Sequence, residues 1–319
     1  MLGLFVFGIA VVVYPGISAA AIAPRWALAA AVLPIFLLAK KIRLTPAHWI
    51  GLAFMGWACL SLLWTPVFYD GANRLIQYTI VAVAFCIGAE TRNMRPVYIG
   101  AGLGIAVSAF IAAFQAFGIE PIENVRVVGP AGLFGNKNLM GEAAAMVAAL
   151  TFASGLWVLL IPVLIALAIS GCKGAILGAG CSFTLWLWKR SKAWGVGSFI
   201  VLVIAGSVAA AIHLGDNSLS IRSLIWSDTW AGVDWLGRGV GSYHALANEF
   251  GQGQIGLHLR AWHAHNDLLE ILFELGPIGA LLAAGFVGWL SRTPAEPEWL
   301  AVVAFCVAGL FGFPLFSPF

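Results

Sequence analysis

The stretch from Trp262 to Gly279 reads WHAHNDLLEILFELGPIG and sets two imidazoles, His263 and His265, beside one amide, Asn266, and three carboxylates. Imidazole titrates near neutrality, so either histidine suits the removal of a proton from an attacking hydroxyl. Asp267, Glu270 and Glu274 stand at i, i+3 and i+7 and share one helix face, while Leu268, Leu269, Ile271, Leu272 and Leu275 cover the others. Glu270 and Glu274 suit pairing with a cation or with an imidazole. Asn266 fits a helix N-cap, or an amide that orients an acceptor. Gly276 and Pro277 predict an interruption or bend in the helix. The alternative is that His263 and His265 do no chemistry and only cap a membrane helix at the water boundary.

A second set of residues carries positive charge. Arg126, Lys173 and Arg222 lie in polar segments between apolar runs, and Lys137, Arg238 and Arg260 fall on the same predicted side. Arg and Lys there suit phosphate oxygens, the first as a planar fork and the second as a point charge. Arg222 opens RSLIWSDTW, a segment predicted to lie amphipathically at the membrane surface. The competing reading pairs these cations with Glu120, Glu123, Asp216, Asp228 and Glu249, or with lipid phosphates. No DxD pair stands in the predicted outer loops, so no metal site is expected. The five cysteines, Cys59, Cys86, Cys172, Cys181 and Cys306, include no CxxC pair and argue for neither a disulfide framework nor a metal centre. No cofactor is expected.

The elements that must position these groups follow from composition. With 61% hydrophobic and 10% charged residues and a mean hydropathy of +0.94, the chain departs from soluble domains. Its apolar runs are too long for a barrel, and backbone in lipid must bond internally, so helices are required. The expected fold is an all-α polytopic membrane bundle of about eleven transmembrane helices, spans of about 20 residues being needed for each crossing. A single integral membrane domain covers residues 1–319, and a long periplasmic loop, residues 213–265, precedes the tenth helix. Met1 to Ala23 lacks a basic start and is broken at Pro15-Gly16, so it is expected to remain rather than to be cleaved. The polar turn TPVFYDGANR, with Asp70 and Arg74, separates a third helix from a fourth that starts at about Leu75. The basic groups KKIR, Arg92 with Arg95, and WKRSK fall on one side, the cytoplasmic side by the positive-inside rule. The same parity brings the histidines and the remaining cations together on the other. The formal charge of +3 gives no reason to expect a nucleic-acid partner.

Four blocks then resemble, in order and spacing, the O-antigen ligases with the related O-antigen polymerases and protein O-oligosaccharyltransferases. They are RVVGPAGLFGNKNLMGE from Arg126, SGCKGAILG from Ser170, IRSLIW from Ile221 with LGRGVGSY following, and HAHNDLLEILFELGPIG; SLLWTP from Ser61 is also similar. Two positions depart from the pattern. Lys173 stands where an arginine is usual, and Lys137 replaces the proline of the GNPN turn. The resemblance implies a metal-independent, inverting glycosyl transfer at the periplasmic face of a bacterial inner membrane. The donor would be a glycan on undecaprenyl diphosphate, and the acceptor a hydroxyl of lipid A core, polysaccharide or protein. His265 matches the family's histidine and Arg222 is its expected catalytic partner, with Arg126, Lys173, Asn266, His263 and Glu270 binding substrate. Membrane lipids are the remaining partners. The alternative class is a lipid-linked glycan flippase or other transporter, which predicts ionisable groups near the bilayer midplane.

Overall fold

The computed structural model describes residues 1–16, 19–123, 125, 128–212, 218–250, 261–292, 296–312 and 314–316. Its elements are helices, with one isolated bridge, Val128 to Asn136, and no strand among the described residues. In chain order they are α1 (Leu2–Val11), α2 (Ala23–Leu38), α3 (Pro46–Ser61), α4 (Phe68–Ala89), α5 (Arg95–Ala116), α6 (Lys137–Ala153) and α7 (Trp157–Ser170). There follow α8 (Lys173–Arg190), α9 (Lys192–Ile212), α10 (Ser218–Ala231), α11 (Tyr243–Leu246), α12 (Asp267–Leu290) and α13 (Glu296–Gly309). Three of them, α4, α5 and α12, are long and apolar enough to cross a membrane, and α1, α2, α7 and the described part of α9 are shorter apolar helices. Repeated apolar helices at this hydropathy make the chain a multi-pass membrane protein.

The chain divides into two compact units. One comprises Met1–Ile35, Thr91–Ala210 and Thr293–Phe319; the other comprises Phe36–Glu90 and Ala211–Arg292. In the first unit α6 is the central helix, packed by α5, α7, α8 and α13. Its buried face is built from Ala143, Ala144, Ala145, Ala148 and Ala149. Small side chains let helix backbones approach closely where lipid leaves no hydrophobic force to draw them together.

In the second unit α3 and α10 pack on α12. Here α4 starts at Phe68 rather than near Leu75, so Asp70 and Arg74 are helical and not in a turn. Asp70 in the first turn complements the positive end of the helix dipole. The predicted loop 213–265 contains α10, α11 and a 3-10 turn, Ala247–Glu249, and its residues 213–217 and 251–260 lie outside the described part.

The expected break in α12 falls at Gly276, whose φ of 65° and ψ of −174° are non-helical, just before Pro277. A proline has no N–H and a rotated peptide misdirects its own, so the turn before the break has carbonyls without helical donors. Each is taken up from elsewhere. The Arg238 N–H donates to Phe273 O at 2.9 Å, the Gly239 N–H to Glu274 O at 2.9 Å, and the Trp57 indole N–H to Leu275 O at 2.7 Å. The loop that supplies two of these donors is held in turn by α3 and the residues after it. Ser61 Oγ accepts from the Val240 N–H, Thr65 Oγ1 donates to Val240 O, and the Trp64 indole donates to Gly237 O. The blocks SLLWTP, LGRGVGSY and FELGP therefore meet at one kink.

Candidate active site

In the second unit the first turn of α12 carries the chemistry. Asn266 is the N-cap, its Oδ1 accepting from the Leu269 N–H at 3.0 Å, which is the capping alternative of the two predicted for it. Asp267, Glu270 and Glu274 all face inward and are buried, whereas Leu268 is exposed. This reversal of the soluble pattern suits a helix with lipid outside and a polar cluster inside.

Glu270, 1% exposed, is the hub. One carboxylate oxygen accepts from the Ala264 amide at 2.8 Å, and the other lies 3.0 Å from His263 Nδ1 and 3.6 Å from Arg74 Nη2. A carboxylate on Nδ1 fixes the imidazole tautomer and leaves Nε2 as the acceptor, the arrangement by which a third group orients a base. The Ala264 peptide is held at its other end as well, because the Trp226 indole N–H donates to Ala264 O at 3.0 Å. Trp226 stands one turn after Arg222 on α10, so one helix face presents both.

The next residue, His265, has φ of 51° and is the one non-glycine residue with positive φ among those described. Histidine tolerates the left-handed region better than most side chains, yet the conformation still costs on the order of 1–2 kcal/mol. It persists because the peptide before it and the cap after it are both pinned. Burial lowers the His265 pKa to about 4, and the positive charge of Arg222 and the neighbouring His263 add to the effect. His265 is consequently neutral at pH 7, the protonation state a proton acceptor needs. Arg222 is half-buried and forms no salt bridge among the described residues. Its positive charge disfavours a proton on His265.

The other predicted residues belong to the first unit. Arg126 lies outside the described residues. Lys173 is exposed at the first position of α8, where the N-terminal end of the helix dipole and the ammonium are both positive, a pairing that favours an anion. The turn before α6 is built as expected, with Asn136 Oδ1 accepting from the Asn138 N–H at 2.8 Å. It is braced by Gln115, whose Oε1 accepts from the amides of Ala131 and Gly132 at 2.9 and 2.8 Å. The buried Arg25 also donates to Leu133 O at 2.8 Å. Among the described residues no group of three His, Cys, Asp or Glu side chains is placed to hold a metal ion.

Arg74 has no counterpart among the predicted site residues. It was hidden in the sequence because Asp70 stands four residues before it, the ordinary spacing of a surface helix pair. The signal that points to it is indirect. Glu270, an acid in an apolar helix, requires a cation, and the nearest arginine able to supply one comes from α4, almost two hundred residues earlier in the chain.

The comparison with known proteins bears on these same residues. Residues 156–284 match the family model described as O-Antigen ligase. The match takes in the blocks from Ser170, Ile221 and His263, and it contains Lys173, Arg222, His263, His265, Asn266 and Glu270. No curated protein matches the chain. Arg74 and the Arg126 block lie outside the matched segment. The resemblance is borne out over three of its four blocks: within this multi-pass membrane protein, residues 156–284 match the O-antigen ligase family, whose members transfer glycosyl groups.

Proposed function

We propose that the protein transfers a glycan from an undecaprenyl-diphosphate carrier to a hydroxyl acceptor, as an O-antigen ligase or polymerase does, at the periplasmic face of a bacterial inner membrane. The observation that carries the reading is the buried cluster at the start of α12. A strained, neutral His265 stands within the field of Arg222, beside a His263 oriented by Glu270. In the proposed step the acceptor oxygen attacks C1 of the donor sugar while the bond from C1 to the diphosphate oxygen breaks. The acceptor proton passes to the neutral imidazole of His265, and the diphosphate leaves with the bonding pair. A single displacement of this kind inverts the anomeric centre.

The leaving group gains negative charge as the bond breaks, and a cation already in place lowers that barrier. Arg222 is the proposed partner, with Lys173 and Arg126 meeting the rest of the diphosphate and no metal taking part. Asn266, by capping α12, keeps the histidine loop in register. About eleven crossings in a single membrane domain, with the segment 213–265 outside, would put all of these groups on the face where the lipid-linked donor is presented.

The test is single-turnover transfer from a lipid-diphosphate glycan by purified protein in nanodiscs, together with donor binding. His265→Ala should lower turnover by about two to four powers of ten, the range for general-base catalysis, with donor affinity little changed. Arg222→Ala should weaken donor binding and slow the step as well. Near-normal turnover in His265→Ala would overturn the assignment.

A further inference from the structure

Glu270 and Glu274 are both buried in α12, and Arg74 is the cation that acts on them. It lies 3.6 Å from Glu270, its side chain is 13% exposed, and its charge also reaches Glu274. The groups facing this cluster come from five elements. They are Arg74 and Tyr78 of α4, Asp267, Glu270 and Glu274 of α12, Tyr243 of α11, His263 and His265 of the segment before α12, and Arg222 and Asp228 of α10. The three acids of α12 and Asp228 of α10 thus sit among two arginines, and one arginine touches the carboxylate that organises the loop.

Two consequences of Glu270 depend on its staying ionised. As a carboxylate it can only accept, so its Oε1 takes the His263 Nδ1–H and its Oε2 accepts from the Ala264 amide that precedes the strained His265. A buried carboxylate without a cation favours its protonated form, which can donate to a ring nitrogen as well as accept from one, and the tautomer of His263 then ceases to be fixed.

We infer that Arg74 is a positioning residue of the transfer site: by pairing with Glu270 it holds in place the carboxylate that fixes His263 and, through the Ala264 amide, the pose of His265. The inference rests on the glycosyl-transfer reading above and extends the site to α4, outside the segment that matches the family. Arg74 acts through Glu270 and touches no reacting atom.

The sign of the effect follows from charge. Removing a cation withdraws stabilisation from the charged carboxylate that faces it, so the active form of the site is lost at higher pH. An opposite charge at this range moves a pKa by roughly one to three units. Arg74→Met should therefore raise the acid limb of the pH–rate profile by about one unit or more, lower kcat about ten-fold or more, and leave the donor KM within about two-fold. Arg74→Lys should return the limb toward wild type.

A readout independent of transfer is carbethoxylation of His263 by diethyl pyrocarbonate, followed by mass spectrometry against pH. The midpoint should rise in Arg74→Met by the same amount as the limb. If Arg74→Met does not fold, Arg74→Met/Glu270→Gln, which leaves no uncompensated acid at position 270, is compared with Glu270→Gln alone; the two should coincide, because Arg74 acts through that carboxylate. An unmoved midpoint, or an effect of Arg74→Met that persists in the Glu270→Gln background, overturns the inference. A wild-type protein that transfers nothing while the His263 midpoint still moves overturns the functional reading and upholds the coupling.

Discussion

Replacing Gly276 by alanine tests the kink on which the second unit is assembled. With φ of 65° and ψ of −174°, Gly276 occupies a region open essentially to glycine alone, and a Cβ there costs on the order of 1–3 kcal/mol. The added methyl would also lie 2.4 Å from Trp235 O and 2.8 Å from Gly237 N, both backbone atoms of the loop that caps the broken turn. That loop must move away, which loosens the bonds from the Arg238 and Gly239 amides to Phe273 O and Glu274 O, each contributing about 1 kcal/mol. Together the terms predict a destabilisation of about 3–5 kcal/mol. Gly288 on the same helix is the control. A Cβ there meets nothing within 4 Å, so Gly288→Ala should be neutral or stabilise by up to about 1 kcal/mol through helix propensity. Both variants are unfolded by SDS titration in mixed micelles, with transfer activity measured in parallel. If Gly276→Ala unfolds with Gly288→Ala and wild type, the kink is not what holds the capping loop.

Three further outcomes are expected. Because the His265 pKa is about 4 in the folded protein against 6.5 for a free imidazole, its neutral burial stabilises the fold fully above about pH 6.5, and this contribution is lost progressively as pH falls toward 4. His265→Gln should flatten the slope of stability between those values, and equal slopes would refute the burial argument. Transfer should persist in excess EDTA, since the diphosphate charge is assigned to arginine and lysine; loss of activity restored by Mg²⁺ would refute that assignment. For topology, Cys172 is buried and unsuitable as a label, so Lys173→Cys and Lys192→Cys, both at exposed positions, are to be treated with an impermeant thiol reagent in spheroplasts. The first should react and the second resist, and the reverse pattern would invert the proposed sidedness.

Hydropathy and breaker residues made most of the helices legible, because the demand for internally bonded backbone in lipid leaves few other solutions. The cap at Asn266 and the break before Pro277 were equally readable, since both follow from one residue and its immediate neighbours. What escaped was long-range. The start of α4 at Phe68 depends on Gly71, where an added Cβ would lie 2.7 Å from Val240 O, a contact no local pattern contains. The same holds for Arg74 with Glu270, and for the left-handed backbone of His265, which is set by partners on α10 and α12 rather than by its own sequence. The first-unit candidates stand differently. Lys173 was legible as a cation at a helix start, and donor binding by Lys173→Ala tests its part in the site.

The capping of the α12 kink also places a constraint on how the protein is made. The Trp57 indole is 218 residues ahead of the carbonyl it caps, and Ser61 is 179 residues ahead of the Val240 amide. At a synthesis rate of about 5–20 residues per second, α3 waits on the order of 10–40 s for α12 to emerge. During that interval the inward-facing indole has no native partner, the Ser61 hydroxyl has only the Ala58 carbonyl of its own helix, and the capping loop has nothing to cap. The second unit therefore closes late, with the arrival of the break itself. An α3 that leaves the translocon early must be sheltered by other helices or by an insertase until then.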